Sequence, residues 1–251
     1  MKIERIEWGR LEGTRPRKAG KNARLDDHGL HVRPPIARLT LSDGSSGFGV
    51  SRGTREQLQE FVGRSVDELF SSSSGVAEAA QLLDYPLWDL AAKRAGLPVY
   101  ALAAKVVGRA LPEGALRVRC YDTTLYFDDL HLDSNEEAAA LIAQEAREGY
   151  ERGHRAFKVK IGRGARHMEL EKGTRRDILI LRAIREAVGP EPPMMVDANN
   201  GYNLNLSKRV LAETADVRVF WLEEAFHEDA VLYRDLKEWL GKEGLETLIA
   251  D

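Results

Sequence analysis

The sequence predicts an α/β protein: an N-terminal α+β unit, then a (β/α) barrel of the TIM type that reads as truncated after about five strands. Three observations predict it. From about residue 116 onward, short β-prone apolar runs alternate with longer segments of helical period, the mark of parallel βαβ units. Three of these runs close on an acid: Asp197 after Met194-Met195-Val196, Glu223 after Phe220-Trp221-Leu222, and Asp251 after Leu248-Ile249-Ala250. Steps of 26 and 28 residues separate the acids, room for one helix and two short loops each time. The run before them, Phe157-Lys158-Val159-Lys160-Ile161, carries two lysines. The C-terminal strand ends of such a barrel converge on one mouth, where active sites sit.

Residues 1–115 read as a separate unit. Lys2 to Gly9 alternates like a strand, Leu11 to Pro34 is polar and reads as a long loop, and Ile36 to Ser42 alternates again. Asp43-Gly44-Ser45-Ser46-Gly47 is a turn into Phe48-Gly49-Val50. Thr54 is placed to cap a helix over Arg55 to Val62. Ala77 to Ala95 has helical spacing interrupted by Pro86 and stops at Gly96-Leu97-Pro98.

In residues 116–251 the strand candidates are Arg117–Tyr121, Ala156–Ile161, Pro193–Val196, Val217–Leu222 and Thr247–Ala250. The intervening helices start at Ser134, Leu170, a cap at Asn205, and Ala230. An eight-fold barrel needs about eight such units, so the chain reads as a fragment ending inside a barrel. Alone, it is expected to associate or aggregate through the unpaired sheet edge.

Composition narrows the function classes. At 251 residues, 43% apolar and 31% charged, the chain has ample material for a core. A net charge of −3 gives no field for nucleic acid, and no apolar run reaches the roughly 20 residues that span a membrane. One cysteine, Cys120, excludes an internal disulfide framework, and with no apolar leader at the start a cytoplasmic location is expected. Gly162-Arg163-Gly164 after a strand suggests a phosphate loop, but the dinucleotide fingerprint fails because its third glycine position is His167.

Residues two apart on a strand share a face, so Lys158 and Lys160 point together, with Phe157, Val159 and Ile161 opposite. As an inward pair they are expected to depress each other's pKa, bringing one toward use as a general base. Asp197 and Glu223 supply hard oxygen ligands suited to Mg²⁺, and Asp251 ends the next strand in the same way.

Together, Ala156-Phe157-Lys158-Val159-Lys160-Ile161-Gly162, Val196-Asp197-Ala198-Asn199 and Trp221-Leu222-Glu223-Glu224 resemble the enolase superfamily, in its mandelate racemase and muconate lactonizing branch. The resemblance covers essentially the whole chain. It implies that residues 1–115, with the helix end Ala91-Ala92-Lys93-Arg94-Ala95-Gly96-Leu97-Pro98, form a capping domain, and that residues 116–251 form part of the catalytic barrel. It implies a small-molecule carboxylate substrate, Mg²⁺ as cofactor, and abstraction of the proton α to the carboxylate. Lys160 resembles the general base, and Lys158 the lysine that steadies the substrate carboxylate. Asp197 and Glu223 resemble the first two metal ligands, with Asn199 and Glu224 beside them. The third ligand falls to Asp251 or to a later Glu. Ala225 stands where the family usually has proline.

The branch also implies a homo-oligomer at full length. Its loop at Leu11–Pro34, basic here through Arg15, Arg17, Lys18, Lys21 and Arg24, is expected to cover the barrel mouth. Tyr121 to Thr124 are expected to end the first strand and to bind substrate hydroxyls. An acid-sugar dehydratase is the favoured reading. A racemase, epimerase or cycloisomerase uses the same first step, and a non-catalytic binding module is the alternative from another class.

Overall fold

The computed structural model describes residues 1–250 and divides the chain into two compact units. The first comprises Met1–Thr14 with His31–Val118, the second Arg15–Leu30 with Arg119 onward. Residues 15–30 thus go with the second unit rather than the first.

The chain opens with β1 (Ile3–Arg10), β2 (Gly13–Ala19), β3 (Gly29–Val32), β4 (Pro35–Leu41) and β5 (Ser46–Val50). In the first unit β1, β4 and β5 make an antiparallel sheet. Ile3, Ile6, Ala37, Leu39 and Leu41 bury one face of it against Leu58, Leu83, Leu87 and Leu90. Those residues come from α1 (Arg55–Gln59), a 3₁₀ turn at Glu78–Leu83, and α3 (Asp84–Ala95), which α4 (Val99–Val106) follows; α2 (Val66–Leu69) adds Val66 and Leu69 to the same cluster. A short pair, β6 (Phe70–Ser71) and β7 (Gly75–Val76), lies between. Thr54 caps α1 through a reciprocal box with Gln57. Pro86 does not interrupt α3: it lies in the first turn, where a missing N–H is not needed.

The Leu11–Pro34 stretch is not a plain loop, because β2 and β3 pair within it. Burial alternates along β2, but the residues are Thr, Arg, Pro and Lys, so apolar periodicity does not show the strand.

The second unit runs β8 (Asp122–Leu125), α5 (Asn135–Glu151), β9 (Phe157–Lys160), α6 (Leu170–Val188), β10 (Met194–Asp197), α7 (Leu204–Glu213), β11 (Val219–Glu223), α8 (Ala230–Glu243) and β12 (Leu248–Ala250). Its strands lie in chain order in one parallel sheet. Ser134 caps α5 by accepting from the Glu137 amide at 3.2 Å. Two expectations are corrected. The first strand is Asp122–Leu125, not Arg117–Tyr121, and α7 is capped by Asn203 rather than Asn205, its Oδ1 taking the Leu206 amide at 2.9 Å.

Phe157 and Val159, Met194 and Val196, and Val219 and Leu222 face the helix layer, packed against Ile142 and Ala146 of α5 and Ile178, Leu181 and Ile184 of α6. Fully burying one such side chain contributes about 1.5–3 kcal/mol. Register shifts between β8 and β9, and again between β10 and β11, where Met194 faces Val219 but Met195 faces Trp221, leaving Phe220 as an extra residue in β11. Among the described residues, no helix is long and apolar enough to cross a membrane.

Candidate active site

The sheet places Lys160, Asp197 and Glu223 in one row. Lys160 pairs in register with Asp197 across β9 and β10, Asp197 with Glu223 across β10 and β11, and Glu223 with Ala250 on β12. The row lies at the C-terminal ends of the strands, and the side chains meet on the face away from the helices. Lys160 Nζ donates to Asp197 Oδ2 at 2.5 Å, and Lys158 Nζ lies 3.0 Å from the same oxygen. Lys158 also donates to Glu223 Oε1. Both lysines and Asp197 are buried.

The expected mutual depression of the lysine pKa values is not what this geometry gives for Lys158. Burial pulls it down, but hydrogen bonds to Glu223 and Asp197 outweigh burial and hold it above the ordinary lysine value. The sequence shows two neighbouring positive charges; the fold adds two closer negative ones.

Surrounding groups orient the carboxylates. Trp221 Nε1 donates to Glu223 Oε2 at 3.0 Å, and the Asn199 amide donates to Asp197 Oδ1 at 2.9 Å. Asn199 Nδ2 reaches Glu224 Oε2 at 2.8 Å, while Asn199 Oδ1 is buried with no hydrogen-bond partner among the described residues. Asn199 and Glu224 both have left-handed backbone, φ 45° and 44°, a strained conformation typical of functional loops.

Two carboxylates in matched register supply the hard anionic oxygens that Mg²⁺ takes, and the lysine ammonium groups show that the spot attracts cations. The third expected ligand, Asp251, lies outside the described residues. Among the described residues, no group of three Asp, Glu, His or Cys side chains is arranged to hold a metal.

Tyr121 does not end the first strand. It precedes β8 and packs edge-on against Trp221, ring centroids 5.7 Å apart. Tyr126, just past the end of β8, is the aromatic residue near the lysines, with Lys160 Nζ 5.6 Å from its ring centre. Burial, then the Asp197 charge, pushes its phenol above the usual value.

The basic segment is largely neutralised within its own unit. Lys18 pairs with Asp27 at 2.5 Å, Lys21 lies 3.9 Å from Asp26, and Arg17 lies 3.4 Å from Glu145. Arg24 points to the loop after β10: with the Asn200 amide turned to donate to the Phe226 carbonyl, its oxygen accepts from Arg24 Nη1 at 3.0 Å.

Sequence reasoning missed a buried ionic cluster behind the row. Arg163 is fully buried and holds Asp129 through Nε and Nη2, Asp177 through Nη1 at 2.7 Å, and the Lys160 carbonyl through Nη1 at 3.2 Å. Arg176, also buried, reaches Asp129 Oδ2 at 3.3 Å. A signal existed: Asp177 sits on the face of α6 that carries Gly173, Ile178, Leu181 and Ile184, where an acid needs a buried partner.

Residues 141–249 match the family described as Enolase C-terminal domain-like. The chain is 32% identical over 213 residues to L-talarate/galactarate dehydratase of Salmonella typhimurium, across 75% of this chain and 48% of that protein. It is similar to a solved structure of galacturonate dehydratase from Geobacillus sp., complexed with D-galacturonate and 5-keto-4-deoxy-D-galacturonate, at 49% identity and TM-score 0.91, covering 100% of this chain and 65% of that one. A second solved structure, a mandelate racemase/muconate lactonizing protein from Geobacillus sp. complexed with magnesium and tartrate, gives 50% identity and TM-score 0.93, covering 100% of this chain and 64% of that one. The chain spans about half the length of the curated dehydratase it matches and about two thirds of these solved chains.

Proposed function

Because the chain belongs to the enolase superfamily, in its mandelate racemase and muconate lactonizing branch, we propose that the intact protein removes the proton α to a carboxylate and dehydrates an acid sugar. The observation that carries the proposal is the row of Lys160, Asp197 and Glu223 at adjoining strand ends, with Lys158 bridging both acids.

Lys160 is assigned as the base. Once deprotonated, it takes the proton from the carbon next to the substrate carboxylate, and the C–H electron pair moves toward that carboxylate. Lys158, buried beside both acids, stands where an ammonium would offset charge building on a carboxylate oxygen. Asp197 and Glu223 would hold Mg²⁺, with a third ligand from Asp251 or beyond. When bound, Mg²⁺ supplies Lewis-acid polarisation of the substrate carboxylate. Tyr126 shields one side of Lys160 from water, and Arg24 stands by the mouth where sugar hydroxyls would lie.

Dehydration rather than racemisation is supported by the ligand pair of the galacturonate dehydratase. D-galacturonate and its 5-keto-4-deoxy form differ by water lost across the carbons α and β to the carboxylate. That is the outcome of α-proton removal followed by departure of the β-hydroxyl and ketonisation.

The test is incorporation of solvent deuterium at the α-carbon, and formation of a keto-deoxy product, with the intact protein, Mg²⁺, and a panel of aldonic, aldaric and uronic acids. Turnover lost in Lys160→Ala and on chelation is expected. Exchange with inversion and no keto product replaces dehydratase by epimerase. No exchange with any acid defeats the proposal.

A further inference from the structure

We infer that Arg163 is a positioning residue for Lys160, and that the Asp129–Arg163–Asp177 cluster sets where the lysine ammonium stands. The inference rests on the proposed reading of Lys160 as the base. The cluster lies behind the site: Arg163 touches the backbone of Lys160 and not its side chain.

The argument begins where β9 stops. Lys160 is its last residue, and the chain leaves through Gly162, whose φ is +98°. The ladder to β10 gives this end one more bond past Lys160, from the Ile161 amide to the Asp197 carbonyl at 2.9 Å, and stops there. Here three separate bonds fix it from behind. The Lys160 carbonyl accepts from Arg163 Nη1 at 3.2 Å, and Asp177 Oδ2 accepts from the Gly162 amide at 2.8 Å and from the Arg163 amide at 3.3 Å. Tyr202, on the loop following Asp197, donates its hydroxyl to that same Asp177 oxygen at 2.8 Å. One carboxylate therefore ties the strand end that carries Lys160 to the loop that follows Asp197.

The cluster is rigid on physical grounds. Arg163, Asp129 and Asp177 are fully buried, and two arginines balance two aspartates once Arg176 is included. Phe127 covers the guanidinium, 4.3 Å from its ring centre. A guanidinium offers its donors in a fixed plane, so the two aspartates and the carbonyl are held at set angles. Lysine in its place keeps the charge but cannot span both aspartates and the carbonyl. A base on a long flexible stem works only if its nitrogen meets the α-hydrogen in line, and a misplacement of about 1 Å costs about 100-fold in rate.

The experiment uses the intact protein with D-galacturonate and galactarate, protonated and deuterated at the carbon next to the carboxylate, comparing Lys160→Ala, Arg163→Lys and Tyr202→Phe. The expectation is kcat lower by about 100-fold in Arg163→Lys and about 10-fold in Tyr202→Phe, KM within about 2-fold, and a larger deuterium isotope effect on kcat in both. A role in folding alone lowers the active fraction and leaves the isotope effect as in the parent, which overturns the inference. Crystal structures of both variants decide the matter without turnover. Lys160 Nζ displaced from Asp197 supports it, and Nζ unmoved in both overturns it. Failure of Lys160→Ala to abolish activity instead strikes the base assignment.

Discussion

Replacing Glu145 with glutamine should stabilise the folded protein above neutral pH and leave it unchanged in acid. Glu145 lies on α5 at 9% exposure, and its Oε2 is buried without a hydrogen-bond partner. Burial pushes its carboxyl up to about 7; Arg17 opposes the rise, and Asp128 adds to it. A carboxyl held at about 7 rather than the ordinary 4.5 costs about 3 kcal/mol when it must be ionised in the folded state. The sign follows from linkage. Below pH 4.5 the group is neutral folded and unfolded, so it costs nothing; as pH rises toward 7 the unfolded chain ionises while the folded one holds its proton, and stability falls. Above 7 the full cost remains. Glutamine cannot ionise, so Glu145→Gln should gain about 3 kcal/mol at pH 8, roughly 6–12 °C in melting temperature for a chain of this size. Thermal melts of parent and variant, stepped from pH 5 to pH 8, should converge at the acid end. A separation that stays constant with pH, or a variant less stable at pH 8, would refute the reasoning. The second result would mean that the Arg17 pair is worth more than burial costs.

Two further expectations concern the ground beneath the site. Asp129→Ala leaves Arg163 and Arg176 without their shared acceptor and should cost about 3–5 kcal/mol in denaturant titrations, as a broken buried ion pair does. Gly173→Ala puts a Cβ 2.4 Å from the Gly164 nitrogen and 2.6 Å from its Cα, backbone that cannot swing aside; about 1–3 kcal/mol or more should be lost, read as a lower melting temperature.

β9 was legible because it is apolar on one face and carries its lysines on the other, and β10 because its short apolar run closes on an acid. Lys158, Lys160 and Asp197 therefore announce their side of the sheet. Leu170–Val188 was legible to the residue because its apolar positions keep helical spacing up to Gly189. The first strand of the sheet was misplaced because Arg117-Val118-Arg119-Cys120-Tyr121 alternates as well as Asp122–Leu125 does, and only pairing with β9 decides between them. With that shift, Tyr126 rather than Tyr121 comes to the lysines. The pKa of Lys158 could not be read from sequence, since its sign depends on carboxylates brought from positions 39 and 65 residues away. The Arg163 cluster was half legible: Asp177 stands on an apolar helix face, but its partners come from the turns after β8 and β9.

The extra residue in β11 has a consequence for how such a sequence can vary over time. Val219 and Leu222 both reach the helix layer although three positions separate them, and Glu223 still faces the lysines, because Phe220 switches the strand's phase between them. Strand side chains alternate strictly, so without Phe220 the remaining Val219, Trp221, Leu222 and Glu223 would match Met194 to Asp197 residue for residue, the valine and leucine still toward the helices and the acid still toward the lysines. The surplus residue is therefore one that this strand can lose without turning its chemistry around, and descendants of this gene are free to vary in length at that position as they are in the loops.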